Sequence, residues 1–493
     1  MLFDFHFLGK QNTTSQKLRA KVLLFFFILL SLLKNIFMTD NRLEVLSKQK
    51  QYINQCNSIP INERIDLLKR LRQIIQSNEE RIKQTLFEDL HKNPTEAYMT
   101  EIGIVISEIN YCIKHLKSWA KIHRKPSSLV LFPSKAFVYP QAKGNVFIIS
   151  PWNYPFQLSI LPIVGALSAG NSVILSPSSQ SCATNKLLQE LINTNFDKKQ
   201  IYCTNGDKEL TTQILKSGVD HLFFTGSFKT AQYLHSLCSE NLIPTTFELG
   251  GKSPIIIDKD ANLELSAKRV CLGKFINCGQ TCIAPDYLFV HKQVKEKFLD
   301  LLKKTIINQY GNDASKSEYY GRIINQKQFL RLQSLLWQGE ILFGGENDQA
   351  NKYISPTLIK PNQDATTLMQ EEIFGPILPI LEFEDIAKVI EYINNRPRPL
   401  ALYYFGSKNA NIIRKTTSGG ACINDAIMHI IPHNLPFGGI GQSGMGTYHG
   451  KKSFDTFSHY KSVLNTNKHF EFTIKYPPYN SLKQRLIKFF MER

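Results

Sequence analysis

The run Asn277-Cys278-Gly279-Gln280-Thr281-Cys282 holds the strongest chemical candidate in the chain. A cysteine attacks as its thiolate, which needs a polar and partly exposed setting that lowers its pKa. Gly279, three residues earlier, gives the backbone freedom to approach a substrate. Read alone, Cys282 is either that nucleophile or one more buried structural thiol. Cys278 adds the alternative of a metal pair, but two thiols without His partners fall short of a zinc site, and no metal is expected. Glu248 closes the strand-like run TTFEL (245–249) and is followed by Gly250-Gly251. Ligand sites in parallel sheets lie beyond the carboxyl ends of strands, so a carboxylate there is a candidate general base, or else a capping or ion-paired Glu. Asn153, in Pro151-Trp152-Asn153-Tyr154-Pro155, joins a strand to a helix. Its amide is either a donor to an oxyanion or a turn residue.

The elements that must position these residues are legible from periodicity. Residues 39–93 read as helical, with Ile61, Ile65, Leu68, Leu71 and Ile75 at three- and four-residue spacing. A second helix is expected from Glu96 to Ala120, and residues 125–142 read as a loop and hairpin. From Asn145 the texture changes to short apolar runs separated by helical patterns. The strands are NVFII, SVILS, IYC, DHLFF and TTFEL, and the helices run over 156–169, 180–193 and 208–216. Such alternation predicts right-handed βαβ units around a parallel sheet. A second alternating region starts at Pro254 and ends near Asn424. The expected class is α/β, with a Rossmann-like nucleotide-binding domain over 38–248, a catalytic α/β domain over 249–430 and a bridging or oligomerisation tail over 431–493. The 125–142 hairpin is expected to join that bridging element.

Composition excludes several classes. The 493 residues are 43% hydrophobic and 20% charged, an ordinary globular balance too long for one core. The net charge of +18 comes from Lys spread along the chain, with no basic block interleaved with aromatics as a nucleic-acid module needs. The nine Cys show no paired CxxC motif and fit free thiols in a reducing compartment, so a cytoplasmic location is expected. Residues 1–37 read as an uncertain apolar leader or a mis-assigned start. Val22–Leu33 is too short to span a membrane comfortably and lacks a following cleavage site, while Met38 opens a natural-looking start. The C-terminal SLKQRLIKFFMER is basic and too short to span, leaving peripheral membrane association open.

Specificity comes from the set of motifs in order: YPQAKGNVFIISPWNYPF, FELGGKSP, NCGQTCIAPDY, MQEEIFGPILPI, NDAIMH and PFGGIGQSGMGTYHGKKSFDTFSH. Over about residues 40–480 the chain resembles the aldehyde dehydrogenase superfamily, closest to its class 3, fatty-aldehyde branch. The resemblance implies an enzyme that oxidises aldehydes to carboxylic acids with NAD or NADP. Cys282 matches the family's nucleophile, forming a thiohemiacetal and then a thioester. Asn153 with the backbone N–H of Cys282 matches the oxyanion hole, and Glu248 the base that activates water. Glu372 and Phe374 match positions contacting the nicotinamide ribose and ring. Trp152, Ser176, Ser179, Thr225, Gly226, Ser227 and Ala231 fall in the segments that line the cofactor. Medium- or long-chain aliphatic or aromatic aldehydes and a homodimer are implied as substrate and assembly.

Two departures from the family concern the cofactor. The usual Lys-Pro-Ser-Glu at a strand end reads Ser176-Pro177-Ser178-Ser179, so two charged holds on the adenosine ribose are absent. Each lost charge-assisted hydrogen bond is worth about 1.5–3 kcal/mol. The missing carboxylate at Ser179 also removes repulsion of a 2′-phosphate, which points to dual or NADP-leaning specificity. In the phosphate loop, Ala231 replaces a glycine. Two rival functions fit the same sequence: a thiol esterase using Cys282 and Glu248 without cofactor, and a cofactor-impaired binding protein.

Overall fold

The computed structural model describes residues 44–128, 131–363, 366–407 and 410–492. The apolar run Val22–Leu33 and the alternative start at Met38 lie outside them.

Two parallel-rich sheets dominate. The first contains, edge to edge, Gly444–Met445, Thr245–Glu248, His221–Thr225, Asn145–Ile149, Ser172–Ser176 and Ile201–Cys203. All neighbours are parallel except Gly444–Met445, which runs antiparallel to Thr245–Glu248. The second contains Gly339–Phe343, Thr357–Pro361, Ile377–Phe383, Tyr287–His291, Pro254–Ile257, Ala401–Phe405 and Gly420–Ile423. Only its first strand is antiparallel. A third sheet is antiparallel and joins His123–Lys125, Lys135–Ala142 and Ser458–Asn465.

The strands read as unbroken apolar runs because both faces are covered. Asn145–Ile149 and Ser172–Ser176 are buried almost throughout. The helix Gln157–Ala169 that connects them is buried at every residue. It is hydrophobic all round because it lies beneath the sheet and also packs against the helices Ile61–Ser77, Gly103–Trp119 and Lys451–Thr456.

The structure differs from the expected elements in two places. The single helix expected from Glu96 to Ala120 is interrupted: Pro94–Ala97 passes through a π turn, Tyr98–Ile102, into Gly103–Trp119. Side-chain periodicity hardly changes across one extra residue, so the π turn was invisible to pattern. The tail also does more than bridge. Gly444–Met445 adds the edge strand beside Glu248, and Ser458–Asn465 pairs along the whole of Lys135–Ala142. Pairings across hundreds of residues leave no local signature. Among the described residues no helix is long and apolar enough to cross a membrane. The C-terminal helix Ser481–Met491 has no buried residue.

Candidate active site

The first sheet reverses its order between Asn145–Ile149 and His221–Thr225. From Asn145–Ile149 the chain builds outward through Ser172–Ser176 and Ile201–Cys203, then returns to build the other side. Crevices at such switch points, beyond the carboxyl ends of strands, are where open α/β sheets bind ligands. Trp152 and Asn153 leave from one central strand, and Thr225 and Gly226 from the other. Thr225 lies opposite Glu248 in the parallel register.

Thr225 is buried and its Oγ1 has no hydrogen-bond partner. Ser227 caps the helix Phe228–Ser239, its Oγ accepting from the Thr230 N–H at 3.4 Å. Ala231 is buried in the first turn of that helix, and Lys229 is exposed. Ser176 is buried at its strand end, its carbonyl accepting from the Ser150 N–H at 3.2 Å. Ser179 is exposed and its carbonyl accepts from the Cys182 thiol.

The nucleophile loop has an unusual backbone. Asn277, Cys278 and Gly279 have φ of 52°, 55° and 70°, three successive residues in the left-handed region. That conformation costs L-residues about 1–2 kcal/mol each, so the surroundings must hold it. Gly279 does not use its freedom to approach substrate, as its place in the sequence suggested. A Cβ there would sit 2.3 Å from the Gly375 carbonyl oxygen, so the glycine lets this loop meet the one carrying Glu372 and Phe374. Gln280, fully buried, donates to the Asn277 and Arg322 carbonyls at 3.1 and 3.0 Å and accepts from the Ile324 N–H at 3.0 Å. The Asn277 amide donates to the Asn153 carbonyl at 2.7 Å. Asn153 in turn donates to the Gln280 carbonyl at 3.0 Å.

Cys282 is half-buried, whereas Cys278 is fully buried. Burial holds the Cys282 thiol up, with the nearby carboxyls of Glu372 and Glu248 adding to the effect, while the backbone N–H groups of Cys282 and Ile283 pull the other way. Those two N–H groups would stabilise negative charge at this point. Burial also pushes Glu248 well above the carboxylate range, and neither of its oxygens has a partner. A buried carboxyl without partners is uncommon. It stands near the thiol of Cys282 and is not part of an ion pair.

Glu372 and Phe374 lie on a loop fixed from two sides. Lys252 pairs with Asp286 and donates to the Leu368 and Glu371 carbonyls at 2.9 Å each. Asp286 accepts from the Ile373 N–H at 2.9 Å, and Arg331 donates to the Ile373 carbonyl at 2.6 Å. Burial, with Asp286 nearby, pushes the Glu372 carboxyl up to about 8. Phe374 has a left-handed φ of 50° and meets Trp152 edge-on, with ring centroids 5.3 Å apart. The structure therefore brings Cys282, Glu248, Asn153, Glu372, Phe374, Trp152 and Thr225 near one another, beyond or at the carboxyl ends of the central strands. Ser176 and Ser179 lie one strand further out.

A profile described as "Aldehyde dehydrogenase family" matches residues 43–463. The chain belongs to the aldehyde dehydrogenase family. It is 43% identical over 448 residues to the 4,4'-diaponeurosporen-aldehyde dehydrogenase of Staphylococcus aureus, covering 90% of this chain and 97% of that protein. It is 40% identical to aldehyde dehydrogenase family 3 member A2 of Rattus norvegicus, covering 90% and 93%. A solved structure titled as the substrate-bound state of Staphylococcus aureus AldH superposes with a TM-score of 0.89 at 42% identity, covering 91% of this chain and 99% of that one. The expected family, fold class and NAD(P)-dependent aldehyde oxidation all stand.

The residues of this dehydrogenase fit a nicotinamide dinucleotide. The orphan hydroxyl of Thr225 and the N-terminal turn of Phe228–Ser239 suit a pyrophosphate, and the Trp152–Phe374 pair offers an apolar wall for a ring. Sequence reasoning gave no role to Lys252, Asp286, Arg331, Tyr154, Tyr403 or Tyr448. Lys252 and Asp286 stand inside quoted motifs, but spacing does not say that they meet. Tyr154, Tyr403 and Tyr448 are buried around Cys282, close enough to feel its charge.

Proposed function

We propose that this aldehyde dehydrogenase works through Cys282 as nucleophile, Asn153 as oxyanion donor and Glu248 as general base. The reading is supported by the nearness of these residues from three separate segments: the Cys282 thiol feels the Glu248 carboxyl, and the Asn153 amide donates to the Gln280 carbonyl two residues before Cys282. The thiolate of Cys282 adds to the aldehyde carbon, and the carbonyl oxygen becomes an alkoxide. The second amide N–H of Asn153 and the backbone N–H of Cys282 hold that charge before any bond to hydrogen breaks. Bound NAD(P) supplies the acceptor for the hydride. Loss of hydride leaves a thioester on Cys282. Glu248 takes a proton from water, the hydroxide adds to the thioester carbon, and the C–S bond breaks to give the carboxylic acid and the thiolate.

The substrate class is apolar, medium- to long-chain aliphatic or aromatic aldehydes. Support comes from the aromatic surroundings of Cys282 and from Phe437, which meets Tyr448 edge-on with centroids 5.8 Å apart. Exposed Ile431, Leu435 and Ile440 flank Phe437 on the same loop. Absence of a carboxylate at Ser179 supports use of NADP alongside NAD. The enzyme is a homodimer in this reading, supported by Ser458–Asn465 and Gly420–Ile423, which are edge strands of their sheets among the described residues. Nine free thiols support a cytoplasmic setting.

Initial rates with aldehydes of increasing chain length, each with NAD and NADP, test the reading. We expect kcat/KM to rise with chain length and NADP to be used. A preference for the smallest aldehydes would contradict the substrate class.

A further inference from the structure

Lys92 is a fully buried lysine on the turn between the helices Glu79–Leu90 and Pro94–Ala97. Its ammonium pairs with Glu101, itself fully buried, and lies 4.0 Å from the centroid of the Tyr154 ring. It also donates to the backbone carbonyl of Asn153 at 3.2 Å. Glu101 spends its other oxygen on the N–H groups of Phe156 and Gln157, at 2.9 and 3.1 Å, at the start of the helix Gln157–Ala169. The pair thus grips the segment 153–157 at both ends. From the same helical stretch, Glu96 accepts the N–H of Asn277 at 2.9 Å and so grips the nucleophile loop. The i→i+5 turn over Tyr98–Ile102 draws Glu96 and Glu101 toward one face, which an uninterrupted α-helix would splay apart.

Burying a charged pair is a poor way to gain stability, since desolvation offsets most of the attraction. A well-packed apolar pair would serve a core as well. What Lys92 has that an apolar residue lacks is a directed N–H toward the Asn153 carbonyl. That carbonyl also receives the Asn277 amide, so it is the point where the oxyanion donor and the nucleophile loop are tied together.

We propose that Lys92 and Glu101 are positioning residues that set the Asn153 amide against Cys282, and through it the stability of the alkoxide from which the hydride departs. The proposal rests on Asn153 being the oxyanion donor. Misplacement of a reacting geometry by about 1 Å can cost roughly 100-fold in rate.

The test is a double-mutant cycle on the full-length enzyme between Asn153→Ala and the paired variant Lys92→Met/Glu101→Gln. The paired variant removes both charges of the pair together. In it, kcat with a long-chain aldehyde should fall about 10- to 100-fold. A primary isotope effect with the 1-deuterated aldehyde should appear or grow, and the Kd for NAD(P)+ by fluorescence titration should stay within about twofold. Added to Asn153→Ala, the paired variant should cost nothing further, because the two act through one interaction. Wild-type kcat in the paired variant, multiplicative losses in the triple variant, or cofactor binding weakened as much as kcat would each overturn the proposal while leaving the catalytic reading intact. Wild-type kcat in Asn153→Ala would overturn both. Should the paired variant not fold, Lys92→Met alone, which leaves the Glu101 carboxyl its two backbone N–H donors, is read by the same criteria.

Discussion

The side-chain amide of Asn153 donates to the backbone carbonyl of Gln280 over 3.0 Å, two residues before Cys282. One amide N–H is thereby committed to the nucleophile loop, and the other remains for the alkoxide that forms at the aldehyde carbon. The same bond that orients the donor also fixes its distance from the thiol. Asn153→Ala should therefore lower kcat about 100- to 1,000-fold, the usual cost of one oxyanion-hole donor. Stopped-flow measurement of NAD(P)H formation checks it, and the Kd for the cofactor should be unchanged.

Glu248 is assigned to the second half-reaction only. In Glu248→Gln, steady-state turnover should fall about 100-fold or more, as loss of a general base does. The first turnover should survive, giving a burst of NAD(P)H close to one equivalent of enzyme. Mass spectrometry of the quenched burst should find the acyl group on Cys282. A mutant with neither burst nor turnover would place Glu248 in the first step instead.

The fold was legible because its signals are local. Strand runs of three to five mostly apolar residues, alternating with helices such as the one stopped at Gly170-Asn171, mark the nucleotide-binding sheet, and the structure has strands at each. The candidate site was legible through motifs whose members stand close in sequence. Lys92, Glu96 and Glu101 were not, because a buried lysine reads like a surface one until its partner is placed. Gly444–Met445 was not, because its pairing with Phe247 and Glu248 spans about two hundred residues. Gly279 was singled out correctly as a place of close approach, but the approaching group is the Gly375 carbonyl rather than a substrate.

Cofactor choice is expected to turn on Ser179, which is exposed one strand away from the switch point. Ser179→Glu should restore a hold on ribose hydroxyls and repel a 2′-phosphate. The ratio of kcat/KM for NADP over NAD should fall by about tenfold or more, the worth of one charge-assisted contact. An unchanged ratio would place the adenosine end elsewhere.

Stability should peak near neutrality. Burial drives His429 and His449 down to about 4 and His221 well below its ordinary value, so all three are neutral when folded at pH 7. The unfolded chain binds protons on these groups first, so stability falls as the pH drops from about 6.5 toward 4. Glu96 and Glu372 act in the opposite sense. Their folded values of about 7 and 8 exceed those of the unfolded chain, so the stability they contribute in acid is lost as the pH rises through 7 and 8. Urea midpoints from pH 4 to 9 should show a maximum between about 6 and 7. A midpoint still rising between about pH 6.5 and 7.5 would contradict these assignments; above that range Lys143 and Lys274, held down to about 8 by burial, add a rising contribution.

Everything in the account passes through one sulfur atom. NAD(P)H formation from a long-chain aldehyde by Cys282→Ala, measured beside its Kd for the cofactor, tests it most directly. No dehydrogenase turnover above background is expected, with cofactor binding retained. Turnover near the wild-type rate would contradict the assignment of the nucleophile and the mechanism built on it.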